Sequence, residues 1–268
     1  MAKRSDSRQA TEALQEIESV FDRLARWVGE NPLQVLGLLG AILAVAASLS
    51  IWNWAQDRRE TGASAAVARV QAAYLSAMGA PPGSFEVVEP ANPETAREVR
   101  REFVVRFIEV ADEHAGTASA VLARMEAAGL QDQAGDHEAA LESWERAADE
   151  ARDGSALEGL ALVRLARALE SRSRWEEAGI RHEKAGGIEE MPTRFQALGD
   201  AARCFAEAGD VERALAIFER IETEAPDAAL PPHTKARLLE LRAASRRGAE
   251  ETLREGSPGA KAGSAEPD

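Results

Sequence analysis

The chain has 268 residues, 32 of them basic and 46 acidic, for a formal net charge of −14, and a single cysteine. That balance offers phosphate backbones no basic face, which excludes nucleic-acid binding. It suits solubility and names no partner of its own. One cysteine excludes an intramolecular disulfide.

Residues 1–30 form a charged tail with five Lys/Arg and six Asp/Glu. Within it Leu14, Ile17, Phe21, Leu24 and Val28 follow a 3-4-3-4 spacing. The seam reads either as a short coiled coil or as an interfacial helix with Trp27 beside it. Residues 31–56 then run without one charged side chain. An α-helix needs about 20 apolar residues to cross a bilayer core, and Leu33 to Trp54 supplies them. Trp52 and Trp54 stand at its end, where indoles prefer the headgroup layer. Gly40, Ala44 and Ser48 make a small-xxx-small row that permits close approach of a second helix.

Two other readings of this stretch exist. Ala44-Val45-Ala46 could serve as a signal-peptidase site, but the long mixed-charge tail is unlike a short positive n-region. A buried core helix of this length seldom lacks polar residues. For orientation, Lys3, Arg4, Arg8, Arg23 and Arg26 precede the span, and Arg58, Arg59 and Arg69 follow it. The larger count favours a cytoplasmic tail, while the Arg58-Arg59 pair beside the membrane points the other way.

Residues 57–247 read as all-α. Apolar residues recur three and four apart, and no sustained two-residue alternation appears. Val67, Val70, Tyr74 and Met78 mark one helix, and Val99, Phe103, Phe107 and Val110 another. A loop carrying Pro81, Pro82, Gly83, Pro90 and Pro93 parts them. From Gly248 to Asp268 the chain has almost nothing apolar to bury, so a disordered acidic tail is expected there.

Three later segments repeat one pattern: a small residue, a large one four on, and a small or apolar one three further. These are Ala140-Trp144-Ala147, Ala178-His182-Ala185 and Ala214-Phe218-Ile221, with the leading alanines 38 and 36 residues apart. The spacing is a loosened form of the 34-residue tetratricopeptide period. Each unit would be a helical hairpin whose small residue lets the helices approach and whose large one fills the gap between hairpins. Gly135 and Gly209 fall at the inter-helix turn, where a positive φ is cheap for glycine. Pro226 closes the third unit. Thr234 to Ser245 would cap the array with Leu238, Leu239 and Leu241.

The order of tail, span, Ala/Ser-rich helix, helical repeats and capping helix resembles the YfgM-like family of bacterial inner-membrane proteins, ancillary subunits of the Sec translocon. The segments that carry the resemblance are VFDRLARWVGENP before and into the span, ASAAVARVQAAY after it, and FIEVADEHAGTASAVLARMEAAGLQDQAGDHEAA leading into the first repeat. The resemblance implies a cytoplasmic N-terminus and a periplasmic repeat domain beside the channel, cooperating with periplasmic chaperones.

No catalytic, cofactor or metal site is legible. His114, His137, His182 and His233 show no metal-ligand spacing, and neither a phosphate loop nor a G-x-S-x-G elbow occurs. Cys204, among Ala201, Ala202 and Phe205, reads as a small buried residue. Binding of proteins, with no small-molecule substrate, is the class of function that remains. Counting back from the marker alanines, Leu122, Met125, Arg164, Arg167, Gln196 and Arg203 are the residues expected to face the groove. Arginines there could hold carboxylates bidentately. The other readings are a cytoplasm-facing adaptor on the same anchor, and a cleaved, secreted binding protein.

Overall fold

A computed structural model describes residues 29–84 and 86–255, so the expected N-terminal seam lies outside the described residues. Every regular element among them is an α-helix. The chain divides into two units, residues 1–58 and 59–268, with the boundary inside helix α1 (Pro32–Ala77).

In the first unit, Leu33, Leu36, Ile42, Leu49, Ile51 and Trp52 are all exposed. The most apolar 18-residue window of α1 has a mean hydropathy of 2.2, and none of it is buried against protein. By length and composition this helix can cross a membrane. Along it, the Ser48 hydroxyl donates to the Ala44 carbonyl at 2.8 Å, which spares a polar group an unpartnered position. The Arg58 guanidinium lies 4.7 Å over the Trp54 ring.

The second unit begins with a hairpin made by the end of α1 and α2 (Pro93–Glu113). The predicted faces meet: Ala66, Tyr74 and Met78 pack with Phe103, Phe107 and Val110. Tyr74 and Phe103 stand edge to face, 5.5 Å between centroids. Asn92 starts α2 by accepting from the Glu94 N–H, and Pro93 takes the first helical position, where its missing N–H costs nothing. The Glu60 carboxylate accepts from the N–H groups of Ala118 and Ser119 at 2.8 and 2.9 Å. It thereby puts a negative charge on the N-terminus of α3 (Ala118–Ala134).

Three hairpins follow: α3 with α4 (His137–Glu150), α5 (Ala156–Glu170) with α6 (Trp175–Gly186), and α7 (Arg194–Glu207) with α8 (Val211–Glu224). Each helix packs on the next, and the first helices of neighbouring hairpins also touch. All nine pattern residues are buried, with Ala140, Ala178, Ala214 and His182 fully covered. Complete burial of a Phe such as Phe205 or Phe218 is worth about 2 kcal/mol.

The turns repeat as closely as the cores. Gly135, Ser173 and Gly209 have φ of 92°, 57° and 89°. In each hairpin the next N–H reaches back to close the first helix: Asp136 to Gln131, Arg174 to Leu169, and Asp210 to Phe205, at 2.8, 3.0 and 2.8 Å. This is the Schellman closure, which needs a left-handed residue at its centre. Between hairpins, Ser155 caps the Glu158 N–H while the Glu158 carboxylate returns to the Gly154 N–H, one residue before the cap, a shifted form of the capping box.

Helix α9 (Pro232–Glu255) lies on α7 and α8. Leu238 is fully buried and Leu241 packs on the third core, as expected of a cap. Leu239, however, stays in water: one residue along a helix is about a 100° rotation, which carries it off the buried face. The helix also continues past Gly248 to Glu255, further than the expected start of the tail. Its last turns, GAEETLRE, contain no proline and are mostly good helix formers.

Candidate interaction groove

The first helix of each hairpin is walled in by neighbours on both sides, which leaves one narrow open stripe. On α5 that stripe is Leu160, Arg164 and Arg167, continued by Ser171, the residue that caps the helix. Stepping back by the 38-residue repeat gives Leu122, Glu126, Gly129 and Gln133 on α3. Stepping forward by 36 gives Gln196, Asp200, Arg203 and Glu207 on α7. Each of these is exposed or half-buried while its helix is otherwise largely buried. The groove therefore has four rows in register. The first is Leu122, Leu160 and Gln196; the second Glu126, Arg164 and Asp200; the third Gly129, Arg167 and Arg203; the fourth Gln133, Ser171 and Glu207.

Five of the six sequence-predicted residues fall on these stripes. Met125 does not. It packs in the core with Val121, Leu162 and Leu165, because it sits one position before Glu126 and so points inward. Glu126, Leu160, Gly129 and Asp200 complete the first three rows, each reached by adding or subtracting the repeat length from a predicted residue, while no residue of the fourth row was predicted.

Arg164 and Arg167 differ from the cations around them. Every other Arg and Lys between 93 and 224 has a carboxylate within 4.0 Å or, for Arg194, the Phe195 ring. Among the described residues these two have neither, and both are exposed. Desolvation raises the pKa of Glu126, and the Arg164 charge offsets that only in part. Gly129 leaves open space next to the third row, since a Cβ there would meet nothing within 4 Å.

Arg203, by contrast, is engaged. Its guanidinium donates to Glu170 Oε2 at 2.6 Å and lies 3.7 Å from Asp200. Glu170 also accepts from His182 Nε2, 2.7 Å from Oε1. Burial works to raise the Glu170 pKa, but the hydrogen bonds from His182 and Arg203 outweigh it and hold the carboxyl at about 2. Cys204 completes the cluster, its donor atom within 4.8 Å of those of Glu170 and His182. Burial first, then the Glu170 charge, push its thiol well above the usual range.

Glu, His and Cys side chains so placed are metal-ligand types. Here Arg203 holds one carboxylate oxygen and the thiol keeps its proton, so the arrangement is a buried hydrogen-bond network joining α5, α6 and α7. One atom is left over, because His182 Nδ1 has no hydrogen-bond partner among the described residues. Sequence spacing gave no sign of this cluster, since its members come from three helices and are scattered between residues 170 and 204.

Helical hairpins stacked in register, with an open face on their first helices, define a repeat protein of the interaction-scaffold class. A model of the tetratricopeptide repeat-like domain matches residues 25–184, well over half of the chain, and the chain belongs to that family. The third hairpin lies beyond the matched residues. No curated protein matches the sequence. Among solved structures, repeats of a putative kinesin light chain from Podosopora anserina, described as nearly identical TPR-like repeats, are 20% identical. They align over 62% of this chain and 94% of theirs with a TM-score of 0.42. A single-substitution variant of the same repeats is 21% identical over 61% of this chain and 90% of its own, also at 0.42. The BtubC (BKLC) protein of P. vanneervenii is 14% identical over 80% of this chain and 98% of its own, with a TM-score of 0.40.

Proposed function

We propose that this chain is a membrane-anchored scaffold that holds partner proteins in the groove of its repeats and has no catalysis of its own. The observation that carries this reading is the pair Arg164 and Arg167, exposed on an open stripe with no carboxylate within 4.0 Å among the described residues, in a chain whose neighbouring cations are almost all paired. The anchor is the segment of α1 from Leu33 to Trp54, and none of the helix's most apolar 18-residue window is buried among the described residues. Its Gly40, Ala44 and Ser48 row would pack on a helix of a membrane partner.

The resemblance drawn from the sequence extends this to a location. The N-terminal tail would be cytoplasmic and the repeats periplasmic at the bacterial inner membrane. There the protein would be an ancillary subunit of the Sec translocon, working with periplasmic chaperones on emerging chains. The Arg58-Arg59 pair favours a second reading, in which the repeats face the cytoplasm and serve another complex.

Protease treatment of intact spheroplasts, followed with an antibody to the C-terminal residues, tests the first reading. Digestion of the repeats from outside is the expected result. Protection until the membrane is broken would favour the second.

A further inference from the structure

We infer that a pocket on the second helices, between α4 and α6, is a docking site for an arginine side chain of a partner protein. The pocket has a volume of about 410 Å³. Its floor includes Leu141, Leu165 and Leu169, all buried. None of the lining residues lies on the four rows of the groove, so the inference goes beyond the scaffold reading and stands or falls apart from it.

The rim carries four carboxylates, Glu138, Glu142, Glu145 and Glu177, against two guanidiniums, Arg174 and Arg181. Both guanidiniums are committed. Arg174 takes Glu177 bidentately, with both bonds at 2.7 Å, and Arg181 bonds Glu145. Glu138 has only a 3.9 Å contact with the occupied Arg174. Glu142 has no cation within 4.0 Å among the described residues. Glu138 and Glu142 stand one turn apart on α4, where like charges repel each other. A cation entering between them relieves that repulsion, and an anion adds to it. The apolar floor asks in addition for an aliphatic stem, which arginine and lysine both place beneath their charge.

The next repeat shows which cation suits the place. Adding the repeat length carries Leu141 to Gly179, Leu169 to Phe205, Glu145 to Glu183 and Glu177 to Arg213. There the Arg213 guanidinium lies 4.0 Å over the Phe205 ring and donates to Glu183 at 2.6 Å. Gly179 gives that ring its room, since a Cβ would meet it at 2.9 Å. The chain's own arginine thus covers the floor of that interval. One interval earlier the covering position is Glu177, an anion turned to Arg174, and the pocket over the leucines stays open. A partner's arginine seated there takes the role of Arg213, with its stem on the leucines and its planar fork on Glu142 and Glu138. A second copy of this chain, itself at −14, is a poor donor of that side chain.

The probe is a rhodamine-labelled nonapeptide of glycines and serines with one central arginine. Citrulline, which keeps the shape without the charge, and lysine replace it in the comparison peptides. Binding is read by anisotropy with the full chain in detergent. The arginine peptide should bind at least tenfold tighter than the citrulline peptide, and added salt should narrow the gap. The gap should close in E138Q/E142Q. It should close also in Glu177→Arg, which supplies from within the cation that the next repeat already has. The substituted side chains are exposed, so both variants should keep the parent's circular dichroism spectrum.

Equal binding of the arginine and citrulline peptides, a tighter lysine peptide, or a gap that survives E138Q/E142Q overturns the inference. So does a gap lost in R164E/R167E, which would move the probe to the groove. Free arginine bound as tightly as the peptide would make this a small-molecule site, and a dimer dissociated by E138Q/E142Q would give it to a second copy. Either result overturns the assignment to a partner's side chain. Failure of the pocket leaves the groove reading standing, because E138Q/E142Q changes no residue of the groove.

Discussion

Ser173 occupies the left-handed turn that Gly135 occupies one repeat earlier, closing α5 with the same backward hydrogen bond with which Gly135 closes α3. It is the one non-glycine residue with a positive φ among the described residues. An L-residue there costs about 1–2 kcal/mol relative to the right-handed form, and glycine returns about 0.4–1 kcal/mol of that to the unfolded chain. Ser173→Gly should therefore stabilise the second unit by roughly 0.5–1 kcal/mol. Gly135→Ala and Gly209→Ala should each destabilise it by about 1 kcal/mol. Urea unfolding followed by circular dichroism reads all three. A destabilising Ser173→Gly would mean that the serine hydroxyl makes a contribution absent from the backbone argument.

Glu170 makes the stability of the array depend on acid. Its folded pKa of about 2 lies below the ordinary glutamate value of 4.5. Depressed folded values give stability that is present above the unfolded pKa and lost as pH falls through the folded one. The window is thus pH 4.5 down to 2. The full effect is about 3 kcal/mol at roughly 1.4 kcal/mol per pH unit. Glu170→Gln should lower stability at neutral pH and flatten the dependence in that window. Parallel pH profiles for the variant and the parent would refute the assignment.

His182 stands where the other repeats have Trp144 and Phe218, so its burial has two sides. The ring fills the inter-hairpin gap and bonds Glu170, but it leaves Nδ1 unpartnered. An unsatisfied buried polar atom costs about 1–3 kcal/mol. His182→Phe removes that cost along with one hydrogen bond to a carboxylate that keeps Arg203. A net change under about 1 kcal/mol is expected at neutral pH. His182→Ala empties the gap and should cost about 3 kcal/mol. Similar losses for both, measured by denaturant midpoint, would show that the hydrogen bond and not the ring matters.

The same network predicts inertness toward metals and thiol reagents. Arg203 occupies Glu170, and the Cys204 thiol is fully buried with its pKa raised. Zinc at moderate excess should leave the melting temperature unchanged, and Ellman's reagent should label the thiol only on unfolding. A zinc-dependent rise of several degrees would instead make Glu170, His182 and Cys204 a metal site.

The parts of this architecture that follow from local pattern were legible in the sequence. A span of apolar residues needs no tertiary information, and the three alanine-led triplets recur because every hairpin buries the same face. The register was sharp enough to place Leu122, Arg164, Arg167, Gln196 and Arg203 on the open stripes. Met125 was misplaced because counting along a helix tolerates no error: one residue turns an exposed position into a core one. The network of Glu170, His182, Arg203 and Cys204 was not legible, since it arises where a degenerate repeat puts a histidine opposite the end of the preceding helix. Ser173 was missed for a related reason, because glycine marks such a turn in sequence and serine does not.

Photocrosslinking in living cells tests the central claim most directly. A photoreactive amino acid would replace Leu160 or Gln196 in the groove, or Glu176 on α6 as the comparison, all three being exposed. A scaffold that holds proteins in its groove predicts discrete protein adducts from Leu160 and Gln196, much weaker ones from Glu176, and loss of the groove adducts when Arg164 and Arg167 are reversed to Glu. Equal adducts from all three positions, or groove adducts that survive the reversal, would contradict it.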